Sequence, residues 1–303
     1  MPSALSRPDP TGHDDTARWE AARWEAAAPQ DGIPLPSLLT LLTLEKDGED
    51  HFLAPCPAQG PPRLFGGLVA AQTLRAACAT VPAERQPHSL HAYFIRPGRP
   101  GIPLEIDVER SRDGRSFTTR RAAAVQDGKE IFALMASFQV HEPGETWQPD
   151  EHLDVPGPDE LGPVASLLGR FPGTASFDIR PIRREGGMAT LHPCWVRLRT
   201  PLPDDPHLHA CAIACVSDMG VVGSALPPGS SYQPFAGASL DHGLWFHREV
   251  RADEWLLFSV HPAAAAGGRG LAQGTMRTQA GELVATITQE ALLRGSRLPP
   301  EGR

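Results

Sequence analysis

Three side chains in the second half of the chain could together handle a water molecule: Asp218 in SDMG, Ser239 in ASLDH and Gln289 in TITQE. A carboxylate can take a proton from water, as a general base must. A hydroxyl and a carboxamide each donate and accept hydrogen bonds, so they can orient that water. Taken singly, each has a plain structural reading. Asp218 could cap a turn, where Asp is favoured, Ser239 could open a strand, and Gln289 could lie on a wet strand face. Gln289 is the least bland, because an amide inside VATITQEALL is costly to bury unless it is paired. Attack on a carbonyl would also need an oxyanion site, for which backbone N–H groups at a helix start are the simplest source. Gly66-Gly67, or the amides near Asp218, are the candidates.

Other constellations are weaker. His88 and His91 flank one predicted strand and His242 and His247 flank another, where structural roles are expected. Asp241 and His242 are neighbours, so on a strand they point to opposite faces and do not form an acid–base pair. His207-Leu208-His209 follows PDDP in a predicted loop and lacks two further ligands for a metal. The five cysteines are odd in number and form no CxxC, which points to neither a disulfide framework nor a zinc site. No GxxxxGK[ST], GxGxxG or GxSxG occurs, so a P-loop, a dinucleotide turn and a nucleophile elbow are not indicated.

The elements that must hold these residues can be read from periodicity. At 303 residues the chain exceeds a usual domain of roughly 100–200. Its 41% hydrophobic content supports a sizeable core, and 29 Gly with 32 Pro cut that core with turns. A net charge of −8 argues against a dedicated nucleic-acid binder. No window is long and apolar enough for a membrane span, and the start, MPSALSRPDPTGHDD, lacks a secretory pattern. A cytoplasmic protein is expected.

A helix built of small residues, apolar on most faces and therefore buried, is predicted over 64–78. Strands follow at 89–96, at 104–108 with one wet face, at 117–126 and at 131–140, joined by Asp-Gly turn signals. An acidic, Pro-rich linker spans about 146–165. The order then repeats: a strand over 194–198, a small-residue helical stretch over 211–225, and strands at 239–248, 254–261, 270–278 and 283–293. GRSFTTRRAAAVQDGKEIFALMAS aligns with GRGLAQGTMRTQAGELVATITQ and puts Gln289 where Ser137 stands. The chain reads as two tandem copies of one α+β unit, each a sheet wrapped around a helix.

These residues carry a resemblance. RLFGGLVAAQTL, HSLHAYFIRPG and the block 113–139 resemble the first half of the type II (TesB-like) acyl-CoA thioesterases. SDMG, ASLDHGLWFHR, EWLLFSV and LVATITQE resemble the second half, so the likeness covers about residues 38–294. It implies an α+β double hotdog with halves at 35–145 and 166–296, between an extension over 1–34 and a tail over 297–303. It implies a water held by Asp218, Ser239 and Gln289, no cofactor, and an acyl-CoA substrate cleaved without a covalent acyl-enzyme. Bacterial members commonly have Thr where Ser239 stands, and peroxisomal members use Ser. CoA phosphates could meet Arg96, Arg115, Arg248 or Arg269. A homodimer or larger homo-oligomer, no nucleic-acid partner and no membrane partner follow by analogy. The rival readings are an enoyl-CoA hydratase on the same fold and a non-catalytic acyl-CoA-binding protein.

Overall fold

The computed structural model describes residues 35–150, 154–163, 171–182, 191–227 and 235–295. The expected extension over 1–34 and tail over 297–303 lie outside the described residues. Helix α1 (Leu38–Leu41) starts where the Ser37 hydroxyl accepts the Thr40 amide. Strands β1 (Glu45–Lys46) and β2 (His51–Ala54) follow, then the buried helix α2 (Gly66–Cys78). The first half ends in β3 (Arg85–Phe94), β4 (Leu104–Asp113), β5 (Phe117–Gln126) and β6 (Lys129–Val140). The second half repeats this plan. It has β7 (Phe177–Pro181) and β8 (Cys194–Leu198), then α3 (Pro206–Ser217) and the short α4 (Val221–Ser224). Strands β9 (Phe235–Ser239), β10 (Asp241–Phe246), β11 (Leu256–Ala266), β12 (Arg269–Thr278) and β13 (Leu283–Gly295) complete it.

Among the described residues one antiparallel sheet runs β1-β2-β4-β5-β6-β3-β10-β13-β12-β11-β8-β7, with β9 also paired to β13. Read from its ends inward, β2-β4-β5-β6-β3 is matched by β8-β11-β12-β13-β10. This is the double hotdog. The halves meet where β3 pairs with β10, from Ser89 opposite Trp245 to Tyr93 opposite Asp241.

The two central helices pack on each other because their sequences are small-residue rich. A β-carbon on Gly67 would lie 2.1 Å from the Cys215 carbonyl oxygen, so only glycine permits this approach. Arg75 of α2 reaches Asp205 at 3.3 Å, and Asp205 also caps α3 through the His207 amide. Buried Gln72 anchors the surrounding chain by donating to the Leu41 and Pro55 carbonyls.

Residues 155–161 of the linker pack on the second half. Trp195 donates to the Pro156 carbonyl at 2.8 Å, and Arg180 donates to the Pro158 carbonyl. Val155 and Leu161 cover Trp195, Trp255 and Leu257, a small apolar cluster separate from the main core.

Three sequence expectations are corrected. The helix expected over 211–225 is two helices, broken at Asp218-Met219-Gly220, where Gly220 adopts a left-handed φ of 74°. His207 and His209 lie inside α3, not in a loop, since Asp205 and Pro206 start the helix before them. The strand expected over 239–248 begins at Phe235 and breaks at Leu240, making Ser239 a strand end.

Candidate active site

Asp218 is the C-cap of α3, not the N-cap of the next turn. The turn after it is held from outside, because His192 Nε2 donates to the Met219 carbonyl at 2.7 Å. Ser239 precedes the strand break, where the Leu240 amide donates to the Glu290 carbonyl at 2.9 Å and the Leu240 carbonyl accepts from Phe94. Gln289 sits on β13 opposite Ala272, its side chain turned into the protein and fully buried.

These placements bring the three predicted residues together. The Ser239 hydroxyl donates to Asp218 Oδ1 at 2.9 Å, and Gln289 Nε2 donates to Ser239 Oγ at 2.9 Å. The Gln289 amide and the backbone amide of Gly67 also favour the charged form of the Asp218 carboxylate. Gly66 and Gly67, at the start of α2, therefore line the site from the other half of the molecule. Gly66 is so close that a β-carbon there would sit 2.8 Å from Asp218 Oδ2 and 2.6 Å from the Phe94 ring. Phe65 and Phe94 flank this point as partly buried apolar side chains.

Sequence reasoning missed His242. It was expected to be structural, yet it lies second in β10, 1% exposed, with both ring nitrogens engaged. Nδ1 contacts Gln289 Oε1 at 2.5 Å and Nε2 contacts Ser217 Oγ at 2.8 Å. The signal available was its two-residue offset from the strand break, which puts it on the inward face with Leu244. Asp241 points elsewhere and accepts the Glu290 amide at 2.6 Å, so the expected separation of Asp241 and His242 holds.

Burial sets the electrostatics. It pushes the Asp218 carboxyl above its ordinary pKa, against the opposing pull of His242, Ser239, Gln289 and the Gly67 amide. Burial pushes the His242 ring below its ordinary value, against Asp218, Gln289 and Asp241. A carboxylate that binds protons more readily than usual beside a neutral imidazole is suited to proton transfer from water.

The first half retains part of this arrangement without the carboxylate. AACATV at the end of α2 matches IACVSD at the end of α3. Thr80 and Ser217 each donate back to the carbonyl three residues earlier, at 2.8 and 3.0 Å. Val81 stands where Asp218 stands. His88 Nε2 contacts Ser137 Oγ at 2.8 Å, in the place of the His242–Gln289 contact. Only the second half carries the carboxylate.

The four candidate arginines do not contact Asp218, Ser239 or Gln289. Arg96 donates to the Glu130 carbonyl at 2.6 Å, Arg248 to the Leu283 carbonyl at 2.5 Å, and Arg269 pairs with Glu290 at 2.9 Å. Arg115 is exposed at the β4–β5 turn. Arg96 follows Phe94 by two residues, and the Gly98 carbonyl two residues on accepts the Leu64 amide, just before Gly66. Among the described residues no group of three or more His, Cys, Asp or Glu could hold a metal, and no helix is long and apolar enough to cross a membrane.

Comparison with known proteins agrees with this geometry. A family model described as the N-terminal domain of acyl-CoA thioesterase matches residues 53–139, and one described as acyl-CoA thioesterase matches 170–292. Acyl-coenzyme A thioesterase 8 of Homo sapiens is 35% identical, covering 84% of this chain and 88% of its own. Acyl-CoA thioesterase 2 of Haemophilus influenzae is 34% identical, covering 86% and 98%. The crystal structure of the acyl-CoA thioesterase II TesB2 of Mycobacterium marinum superposes with a TM-score of 0.73. It is 40% identical and covers 86% of this chain and 99% of its own. The chain belongs to the acyl-CoA thioesterase family of hydrolases.

Proposed function

We propose that the protein hydrolyses acyl-CoA by direct attack of a water held by Asp218, Ser239 and Gln289. The observation that carries this reading is the pair of hydrogen bonds that joins the three, at 2.9 Å from Ser239 to each partner. In the reaction a water takes the place beside these groups. Asp218 accepts a water proton as the oxygen bonds to the thioester carbonyl carbon. The resulting oxyanion meets an amide at the start of α2. Gly67 N–H favours the charged Asp218 carboxylate, which leaves Gly66 N–H, an amide without an acceptor inside the helix. The C–S bond then breaks, and protonated Asp218 returns its proton to the departing thiolate. A thiol is acidic enough, with a pKa of about 8.5, to leave without further help. The products are a carboxylic acid and CoA.

The acyl chain passes Phe65 and Phe94 at the mouth. The CoA phosphates lie toward Arg96, where Arg99 and Lys129 border the same open cavity of about 330 Å³. The enzyme acts in the cytoplasm as a homodimer or larger homo-oligomer. Outward-facing Tyr93 and Met135, 65% and 49% exposed on neighbouring strands, offer apolar surface for such assembly.

Thiol release from acyl-CoAs of several chain lengths, with the parent protein and Asp218→Asn, tests the reading. Release that depends on Asp218 supports it. Tight acyl-CoA binding with no release at any length would overturn it, as would loss of enoyl-CoA absorbance without free thiol.

A further inference from the structure

We infer that His242, backed by Ser217, is the positioning residue that fixes which end of the Gln289 amide faces the reacting water. The inference rests on the thioesterase reading and deepens it. A carboxamide has an acceptor end and a donor end of nearly equal shape, so an unrestrained amide can turn over. Gln289 Oε1 carries no proton, so the 2.5 Å contact with His242 requires the hydrogen on Nδ1. With one proton on the ring, Nε2 is the acceptor. The Ser217 hydroxyl, 2.8 Å away, shares its hydrogen between this nitrogen and the Ala214 carbonyl.

The direction of every later bond follows from that one proton. With Oε1 pinned, Gln289 Nε2 must face Ser239 Oγ and donate to it. Ser239 Oγ then receives one hydrogen and spends its own on Asp218 Oδ1. The chain Ser217, His242, Gln289, Ser239, Asp218 is thus a one-way series of donors ending on the general base. If the amide turned over, Oε1 and the Asp218 carboxylate would compete for the single Ser239 hydrogen. Asp218 would also lose the favourable effect of the Gln289 amide on its charge. The water would then meet an acceptor where it now meets a donor.

His242 touches neither water nor substrate in this arrangement, so its effect passes through Gln289. That separates it from a structural histidine by a measurement. In a double-mutant cycle His242→Phe, which keeps a ring and removes both polar contacts, lowers kcat about 10–100-fold. This is the range for outer partners that orient a reacting side chain. KM changes little. In the Gln289→Ala background the same substitution has almost no further effect on kcat, because there is no amide left to orient. Ser217→Ala, a milder change, lowers kcat less and is likewise silent without Gln289. His88→Asn, at the corresponding place in the first half, leaves kcat unchanged.

A second readout needs no substitution that could perturb folding. Nitrogen NMR of the histidine-labelled parent protein shows His242 as the Nδ1–H tautomer. Additive effects in the cycle, or an Nε2–H tautomer in the parent, would overturn the inference. A parent protein with no thioester hydrolysis but the Nδ1–H tautomer would instead overturn the thioesterase reading and leave the amide orientation standing.

Discussion

Gly66, in the helix of the first half, approaches Asp218, in the second, so closely that a β-carbon on it would lie 2.8 Å from Oδ2. Asp218 is therefore packed against the other copy of the fold. Gly66→Ala pushes on a carboxylate and a phenylalanine edge, both of which can shift. We expect a fall in kcat of about tenfold or more, since small misplacements of reacting groups are costly, with a small change in Tm. Gly67→Ala meets the backbone carbonyl of Cys215 instead, which cannot swing aside. It should cost about 1–3 kcal/mol of stability. Paired kinetics and thermal melts check both, and an unchanged Tm for Gly67→Ala would contradict the packing.

If Asp218 is the base, the acid limb of the pH–rate profile should report it. The groups facing it are His242, Ser239, Gln289, the Gly67 amide and the Cys215 thiol. Burial raises the folded-state pKa, so the carboxylate protonates, and activity falls, at a higher pH than for an exposed aspartate. Activity is full above that value and lost as pH drops through it. Asp218→Asn should remove about 10²–10⁴ in kcat, the usual share of a general base. A limb in the ordinary carboxylate range would show that the buried site opens to solvent.

Ser239 needs its hydroxyl more than its size. Ser239→Ala deletes the donor to Asp218, a hydrogen bond to a charged group worth about 1.5–3 kcal/mol, or roughly 10–100-fold in rate. Ser239→Thr keeps the donor and narrows its rotamers, so kcat stays within roughly threefold. Steady-state kinetics of the two variants decide this, and equal losses in both would mean that shape, not hydrogen bonding, matters here.

The apolar cluster under the linker should be separable from catalysis. Arg180 and Arg197 stack on Trp255 at 4.7 and 4.3 Å, beside the chain that crosses Trp195. Trp255→Leu removes both stacking contacts and part of the buried area, about 2 kcal/mol. Tm should drop by several degrees, with kcat at 25 °C unaltered.

Local patterns made the helices and meanders legible. FTTRRAAAVQ is a strand over the residues expected, and the repeat GRSFTT/GRGLAQ aligns Gln289 with Ser137, each of which meets a histidine. Asp218, Ser239 and Gln289 were legible through motifs. What escaped was long-range geometry. A left-handed glycine at 220 splits the helix, and the strand break at Leu240 turns Ser239 toward the carboxylate. Neither changes the hydrophobic period. His242 was hidden for the same reason: in sequence it neighbours Asp241, but its partners are Ser217 and Gln289, on separate elements.

The seam between β3 and β10 joins residues roughly 150 positions apart in the chain. Closing so long a loop is entropically slow, whereas each half is a meander of near neighbours. Phe94, which borders the site, bonds to Leu240 across that seam. On dilution from denaturant, far-ultraviolet dichroism should therefore recover before thioesterase activity. Simultaneous recovery of the two would mean that the halves do not form ahead of the joint.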